Sequence, residues 1–209
     1  MSTELELRPC AADDAVAVVP LIHDSGPVAF RAVFSQQHHG ESLEFLHTSF
    51  REGSGQFGFR NHLLAERDGR TLAVVAVWDA RLNGTFTASA LRHITGFYGM
   101  RAVPVLWRGL RMERIVRPAV PGVAYIGHFA VHPDVRGGGI GRAILGHLLA
   151  RTREDGYTRA ALDVADSNPR ARALYEASGF RVLATRRSAL PERWGERVAD
   201  HHYMECALS

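Results

Sequence analysis

Within six residues stand an arginine and four glycines, Arg136-Gly137-Gly138-Gly139-Ile140-Gly141, followed by Arg142. The apolar run Ile126–Val131 leads into this segment, and Ile140, Ile144 and Leu148 leave it at helical spacing. The pattern predicts a strand, a glycine turn and a helix. Glycines let the main chain take φ > 0 and approach a ligand closely. A helix opening on such a turn directs free N–H groups and the positive end of its dipole at one spot, which suits a phosphate or pyrophosphate. Two familiar phosphate motifs are excluded. The P-loop needs a lysine, and all 25 basic residues here are arginine. The G-x-G-x-x-G dinucleotide pattern needs glycine at 142 or 144, where Arg142 and Ile144 stand. The missing lysine also excludes Schiff-base and autoacetylated-lysine chemistry. Cys10 and Cys206 have no zinc spacing, and His38-His39 and His201-His202 lack the carboxylate or thiol partners of a metal site, so no metal is expected.

About thirty residues further on lies Asn168-Pro169-Arg170-Ala171-Arg172-Ala173-Leu174-Tyr175-Glu176-Ala177-Ser178-Gly179-Phe180. Residues 136–141 resemble the R/Q-x-x-G-x-G/A signature of the GCN5-related N-acetyltransferases (GNAT superfamily). The later segment resembles their N-x-x-A-x-x-L-Y-E-x-x-G-F signature. The resemblance covers residues 123–180. It implies a GNAT fold, an α/β (α+β) architecture whose central mixed, mostly antiparallel sheet has about seven strands and splays between the fourth and fifth. It also implies acetyl-CoA as co-substrate. The backbone of Phe129 and Val131 would then pair with the pantetheine arm. Arg136 and the amides of Gly137, Gly138, Gly139, Ile140, Gly141 and Arg142 would hold the pyrophosphate. Asn168 would bond the arm, with Ala171 and Tyr175 beside it, and Arg142, Arg170 and Arg172 could meet the outer phosphate. A helix N-cap is the competing role for Asn168.

Acetyl transfer to an amine requires a base for the amine, a donor for the oxyanion and an acid for the departing thiolate. The resemblance makes Tyr175 the acid and puts the oxyanion donor on the fourth strand near Phe129. The base has two candidates. His128 titrates near neutrality, but strand alternation groups Tyr125, Gly127, Phe129 and Val131 on one face and turns His128 to the other unless a bulge intervenes. Gly127 cannot act, and Tyr125 would have to ionise. Asp163, twelve residues before Tyr175, matches the Glu base of the ribosomal-protein alanine acetyltransferases, a branch of the family. The competing reading is a non-catalytic acyl-CoA-binding or regulatory domain with no base in place.

The elements that must position these groups are legible in part. Residues 4–8 alternate as a strand, and helices are expected over about 13–23, 28–36 and 41–51. Asn61–Glu66 and Thr71–Trp78 flank Asp68-Gly69 as a hairpin. Further strands are expected at Val123–Val131, Arg159–Val164, Phe180–Ala189 and Val198–Ala207, and helices at Ile140–Asp155 and Asn168–Ser178. Residues 80–121 follow no clean period and read as a partly helical insertion into a single domain over 1–209. Seven arginines and one acid lie between Arg81 and Arg117. That charge could cover an anionic acceptor or the coenzyme phosphates, form a dimer surface, or simply face water. The loop Leu190–Arg197, with Trp194, would flank the acceptor.

The chain has 209 residues, 46% apolar and 22% charged, with a formal net charge of +3. That size needs no disulfide or metal staple. The charge is too small to indicate nucleic acid, and Phe97, Tyr98 and Trp107 are not regularly interleaved with the arginines. The apolar run Leu72–Trp78 is far short of the ~20 residues that span a bilayer, and the acidic start has no signal-peptide character. The expectation is a cytoplasmic monomer or homodimer, with no membrane or nucleic-acid partner, acting on an unidentified amine acceptor.

Overall fold

The computed structural model describes residues 5–208. The first strand is β1, Glu6–Pro9; Glu4 of the expected strand lies outside the described residues. The helices α1 (Ala15–Asp24), α2 (Pro27–Phe34) and α3 (Glu41–Glu52) follow. The hairpin β2 (His62–Arg67) and β3 (Arg70–Trp78) turns at Asp68 and Gly69, both at positive φ, the conformation whose twist matches paired strands. The segment 80–121 holds two helices, α4 (Asn83–Tyr98) and α5 (Ala102–Met112). Then come β4 (Val123–Val131), α6 (Ile140–Glu154), β5 (Arg159–Ala165), α7 (Pro169–Ala177), β6 (Arg181–Arg186) and β7 (His201–Ala207). The last two strands are shorter than the sequence suggests.

One seven-stranded sheet runs β1-β2-β3-β4-β5-β7-β6. All neighbours are antiparallel except β4 and β5. That parallel pair is short: Val123, Ala124 and Tyr125 face Arg159, Ala160 and Ala161, and the strands then part. From Ile126 onward one edge of β4 has no strand beside it among the described residues, which is the expected splay.

The sheet buries both faces. Ile140, Ile144, Leu145 and Leu148 of α6 pack with Ile126, Leu162 and Val164 on one side. Val18, Ile22, Leu46 and Phe50 of α1 and α3 pack with Leu64, Val74 and Ala130 on the other. The α4–α5 pair continues that second layer: Ile94, Tyr98 and Val105 close over Val33, Phe34 and Phe45. Three donors grip the last carbonyls of α2. Arg108 Nε donates to Val33 O (2.9 Å), the Tyr98 hydroxyl to Phe34 O, and Arg193 Nη2 to Ser35 O (2.9 Å). These carbonyls have no partner within the helix, so side chains from elsewhere satisfy them.

Candidate active site

The glycine turn has the expected form. Gly137 and Gly139 take φ of 93° and 77°, and Gly139 caps α6. Among the described residues, no protein group accepts a hydrogen bond from the amides of Gly137 through Arg142. They open at the positive end of a 15-residue helix. Arg170 stands beside the turn; a Cβ at Gly137 would lie 3.8 Å from its Nη2. Arg136 Nε donates to Val131 O (2.8 Å), tying the turn to the end of β4. The His132 amide donates to Leu72 O (2.7 Å). Antiparallel pairs alternate between bonded and non-bonded positions, so Val131, opposite Ala73, turns its own N–H and C=O away from β3 toward the splay. Asn168 caps α7, its Oδ1 accepting from the Ala171 amide (3.1 Å).

Simple alternation along β4 fails where the chemistry is expected. Ala76 pairs with Gly127 and Val74 with Ala130, so two residues of β4, His128 and Phe129, oppose Val75 alone. His128 takes φ of 51° to make this bulge. Ile126, Phe129 and Val131 therefore share the α6 face, and Phe129 and Val131 do not lie with Tyr125 and Gly127 as alternation implies. The His128 ring packs on Phe30, Phe57, His62 and Trp78, with centroids 6.1, 5.4, 5.2 and 5.7 Å away. Trp78 also covers Gly127, where a Cβ would fall 2.1 Å from the indole.

Asp163 faces the same side as Tyr125. Its Oδ2 accepts from the Tyr125 hydroxyl (2.9 Å) and its Oδ1 from Arg186 Nη1 (3.1 Å). Its side chain is 2% exposed. Burial lifts its pKa to about 6, against the pull of Arg186, Tyr125 and Arg117. Burial pushes the Tyr125 hydroxyl well above 10, helped by Asp163, so Tyr125 stays protonated and cannot serve as a base. Tyr175 lies in the α6-side cluster with Leu162 and Val164. Its hydroxyl has no hydrogen-bond partner among the described residues, and burial raises its pKa to about 12. The structure joins Asp163 to Tyr125 and Arg186. It leaves His128 on the same side of the sheet and Tyr175 on the other, with the splay between.

The closing loop is pinned rather than free. Arg31 Nε donates to Glu196 (2.7 Å), and Trp194 packs on His39 at 4.8 Å. The basic segment is partly consumed internally: Arg81 pairs with Asp79, Arg101 with Glu41, and Arg108 is buried. Tyr98 is buried in the core cluster of α4–α5, and Phe97 packs partly buried against it. His62, Arg186 and Trp78 escaped the sequence reading, because a strand pattern says nothing about which side chains meet across the sheet.

Residues 30–180 match the Acetyltransferase (GNAT) family, and the chain belongs to that family. It is 39% identical over 72 residues to the ribosomal protein bS18-alanine N-acetyltransferase of Escherichia coli (strain K12), covering 34% of this chain and 49% of that one. It is 35% identical over 124 residues to N-alpha-acetyltransferase 40 of Saccharomyces cerevisiae, covering 56% and 39% of the two chains. Over 69 residues it is 42% identical to mycothiol acetyltransferase of Beutenbergia cavernae, covering 33% and 23%. The chain thus spans about half, or less, of the length of the curated relatives it matches. A crystal structure of an acetyltransferase superposes with a TM-score of 0.70 over 98% of this chain and 100% of that one, at 18% identity. An N-acetyltransferase from Staphylococcus aureus Mu50 gives 0.67 over 96% and 99%, at 16% identity. At such identities the superpositions speak for the fold alone.

Proposed function

We propose that the protein moves an acetyl group from acetyl-CoA directly to a primary amine of a small molecule or of a peptide or protein N-terminus. The observation that carries this is the run of unpartnered amides from Gly137 to Arg142 beside an open edge of β4. A diphosphate fits the first and an extended arm fits the second. Gly137 to Arg142 would hold the diphosphate with Arg136 and Arg170 at its rim. The backbone of Val131 and Phe129, with Asn168 and Ala171, would line the arm. When bound, the coenzyme supplies the acetyl group as an activated thioester.

The remaining work falls to this chain's own side chains. Tyr175, protonated at neutral pH, donates its proton to sulfur as the C–S bond breaks. On the other side of the splay, Asp163 or His128 takes the proton from the amine as the C–N bond forms. A main-chain N–H at the bulge near Phe129 would meet the developing oxyanion. The contacts of α4–α5 with α2 and α3 support a single domain with residues 80–121 built into it. Two unpaired, buried cysteines support a reducing compartment, the cytoplasm.

The test is release of free thiol from acetyl-CoA across a panel of amines. The relatives' names point to a ribosomal-protein alanine and to mycothiol, so the panel holds both peptides and small molecules. We expect amine-dependent release, and Tyr175→Phe should lower kcat about 100-fold while coenzyme affinity stays. Tight coenzyme binding with no turnover on any acceptor would make the protein a binding domain instead.

A further inference from the structure

Behind His128 stands a second histidine. His62 is 1% exposed. Its Nδ1 lies 2.9 Å from Gly58 O, and its Nε2 lies 2.9 Å from Nδ1 of His128. A carbonyl only accepts, so Nδ1 of His62 carries a proton and donates it. Burial depresses the His62 pKa to about 4, so the ring is neutral near pH 7 and its Nε2 is a bare lone pair. His128 must then donate from Nδ1, which leaves its own Nε2 without a proton. That nitrogen has no protein partner among the described residues, and His128 as a residue is half-buried. We propose that His62 is a positioning residue that locks His128 in the Nδ1–H form, so that Nε2 of His128 is the atom that deprotonates the acceptor amine.

This inference rests on the acetyl-transfer reading and chooses between its two bases. Both oxygens of Asp163 already accept from Arg186 and Tyr125, whereas Nε2 of His128 is uncommitted. The step balances: the amine proton moves to Nε2, nitrogen bonds to the acetyl carbon, the C–S bond breaks as sulfur takes the Tyr175 proton, and the imidazolium proton passes to solvent, from which the Tyr175 phenolate recovers its own. While charged, the His128 ring keeps its Nδ1–H on His62; burial among the rings of Phe30, Phe57 and Trp78 holds its pKa well below the usual imidazole range, so the cation forms only as the C–N bond does and is quickly discharged. These residues come from α2, the loop before β2, and β3; their burial of the ring is the main cause of its low pKa, and His62 is the titratable group that adds to it. The positive φ of His128 fits a residue held in place for a task, since such backbone is costly for a side chain other than glycine.

The experiment uses the full chain, acetyl-CoA, and a panel of spermidine, free amino acids and alanine- or serine-initiated hexapeptides. His62→Met removes the acceptor from behind His128 at similar bulk; kcat should fall tenfold or more with the coenzyme KM unchanged. His62→Gln, whose carbonyl can accept from Nδ1, should recover most of the rate. Adding His62→Met to His128→Phe should cost nothing further, which a merely structural role would not produce. Ring-nitrogen NMR on the wild type should show a protonated Nδ1 and a bare Nε2 at His128, and His62→Met should convert part of the signal to the other form. A protonated Nε2 in the wild type, or unchanged kcat in folded His62→Met, would overturn the proposal and leave acetyl transfer standing. A wild type that binds acetyl-CoA but acetylates nothing would overturn both, whatever the NMR shows.

Discussion

Two buried groups, His62 and Asp163, carry opposite pH dependences. Unfolded, His62 binds a proton as pH falls through 6.5; folded, it resists until about 4. Stability is therefore intact above 6.5 and drains away between 6.5 and 4. The loss is roughly 3 kcal/mol, since each tenfold difference in proton affinity between the two states is worth about 1.4 kcal/mol. Asp163 runs the other way. Its folded carboxyl takes a proton near 6 while the unfolded one waits until 3.8, so this group favours the fold more as pH falls through that window. Urea titrations across pH 4–7 should separate them: relative to wild type, His62→Met flattens the acid loss and Asp163→Asn steepens it. Gly127 supplies a second residue-level prediction. A methyl group there meets the Trp78 indole at 2.1 Å, so Gly127→Ala should cost about 1–3 kcal/mol in a denaturant titration. Neither pairing was readable from sequence, because His62 with His128 and Gly127 with Trp78 depend on register between strands.

At the scale of elements, the strands and helices carrying the two signatures were legible and α4–α5 were not. The reason is physical. The inner face of that pair buries Ser89, His93 and Arg108, while Val103, Trp107 and Leu110 point outward. Apolar periodicity then tracks the wrong face, and only contacts with α2 and α3 repair the assignment. The bulge in β4 hid for a similar reason: one extra residue flips every side chain beyond it, and nothing local marks His128 as the residue that yields. The N-terminus of α7 was readable because its signals are local, with Asn168 at the cap and Pro169 in the first turn. Asn168→Ala should cost about 1 kcal/mol of stability through the lost cap. If the same side chain bonds the coenzyme arm through its amide nitrogen, isothermal titration of Asn168→Asp should show weakened acetyl-CoA binding with the cap kept.

For the molecule as a whole, the acetyl-transfer reading seats the coenzyme on the parted strands and the amides of the glycine turn. Acetyl-CoA should raise the midpoint of thermal unfolding in step with its concentration, by roughly 2.7 kcal/mol of apparent stability at one hundred times its dissociation constant. Acetyl-pantetheine, which keeps the thioester arm and lacks the diphosphate, should give little shift, and equal shifts would mean that the glycine turn is not where the anion sits. The grip on the end of α2 has a kinetic corollary. Its donors come from 64, 75 and 158 residues along the chain. The end of α2 is thus fully held only after the last loop has docked, and contacts of such long range slow folding. A chain whose last loop has yet to dock would hold the end of α2 by two side-chain donors instead of three.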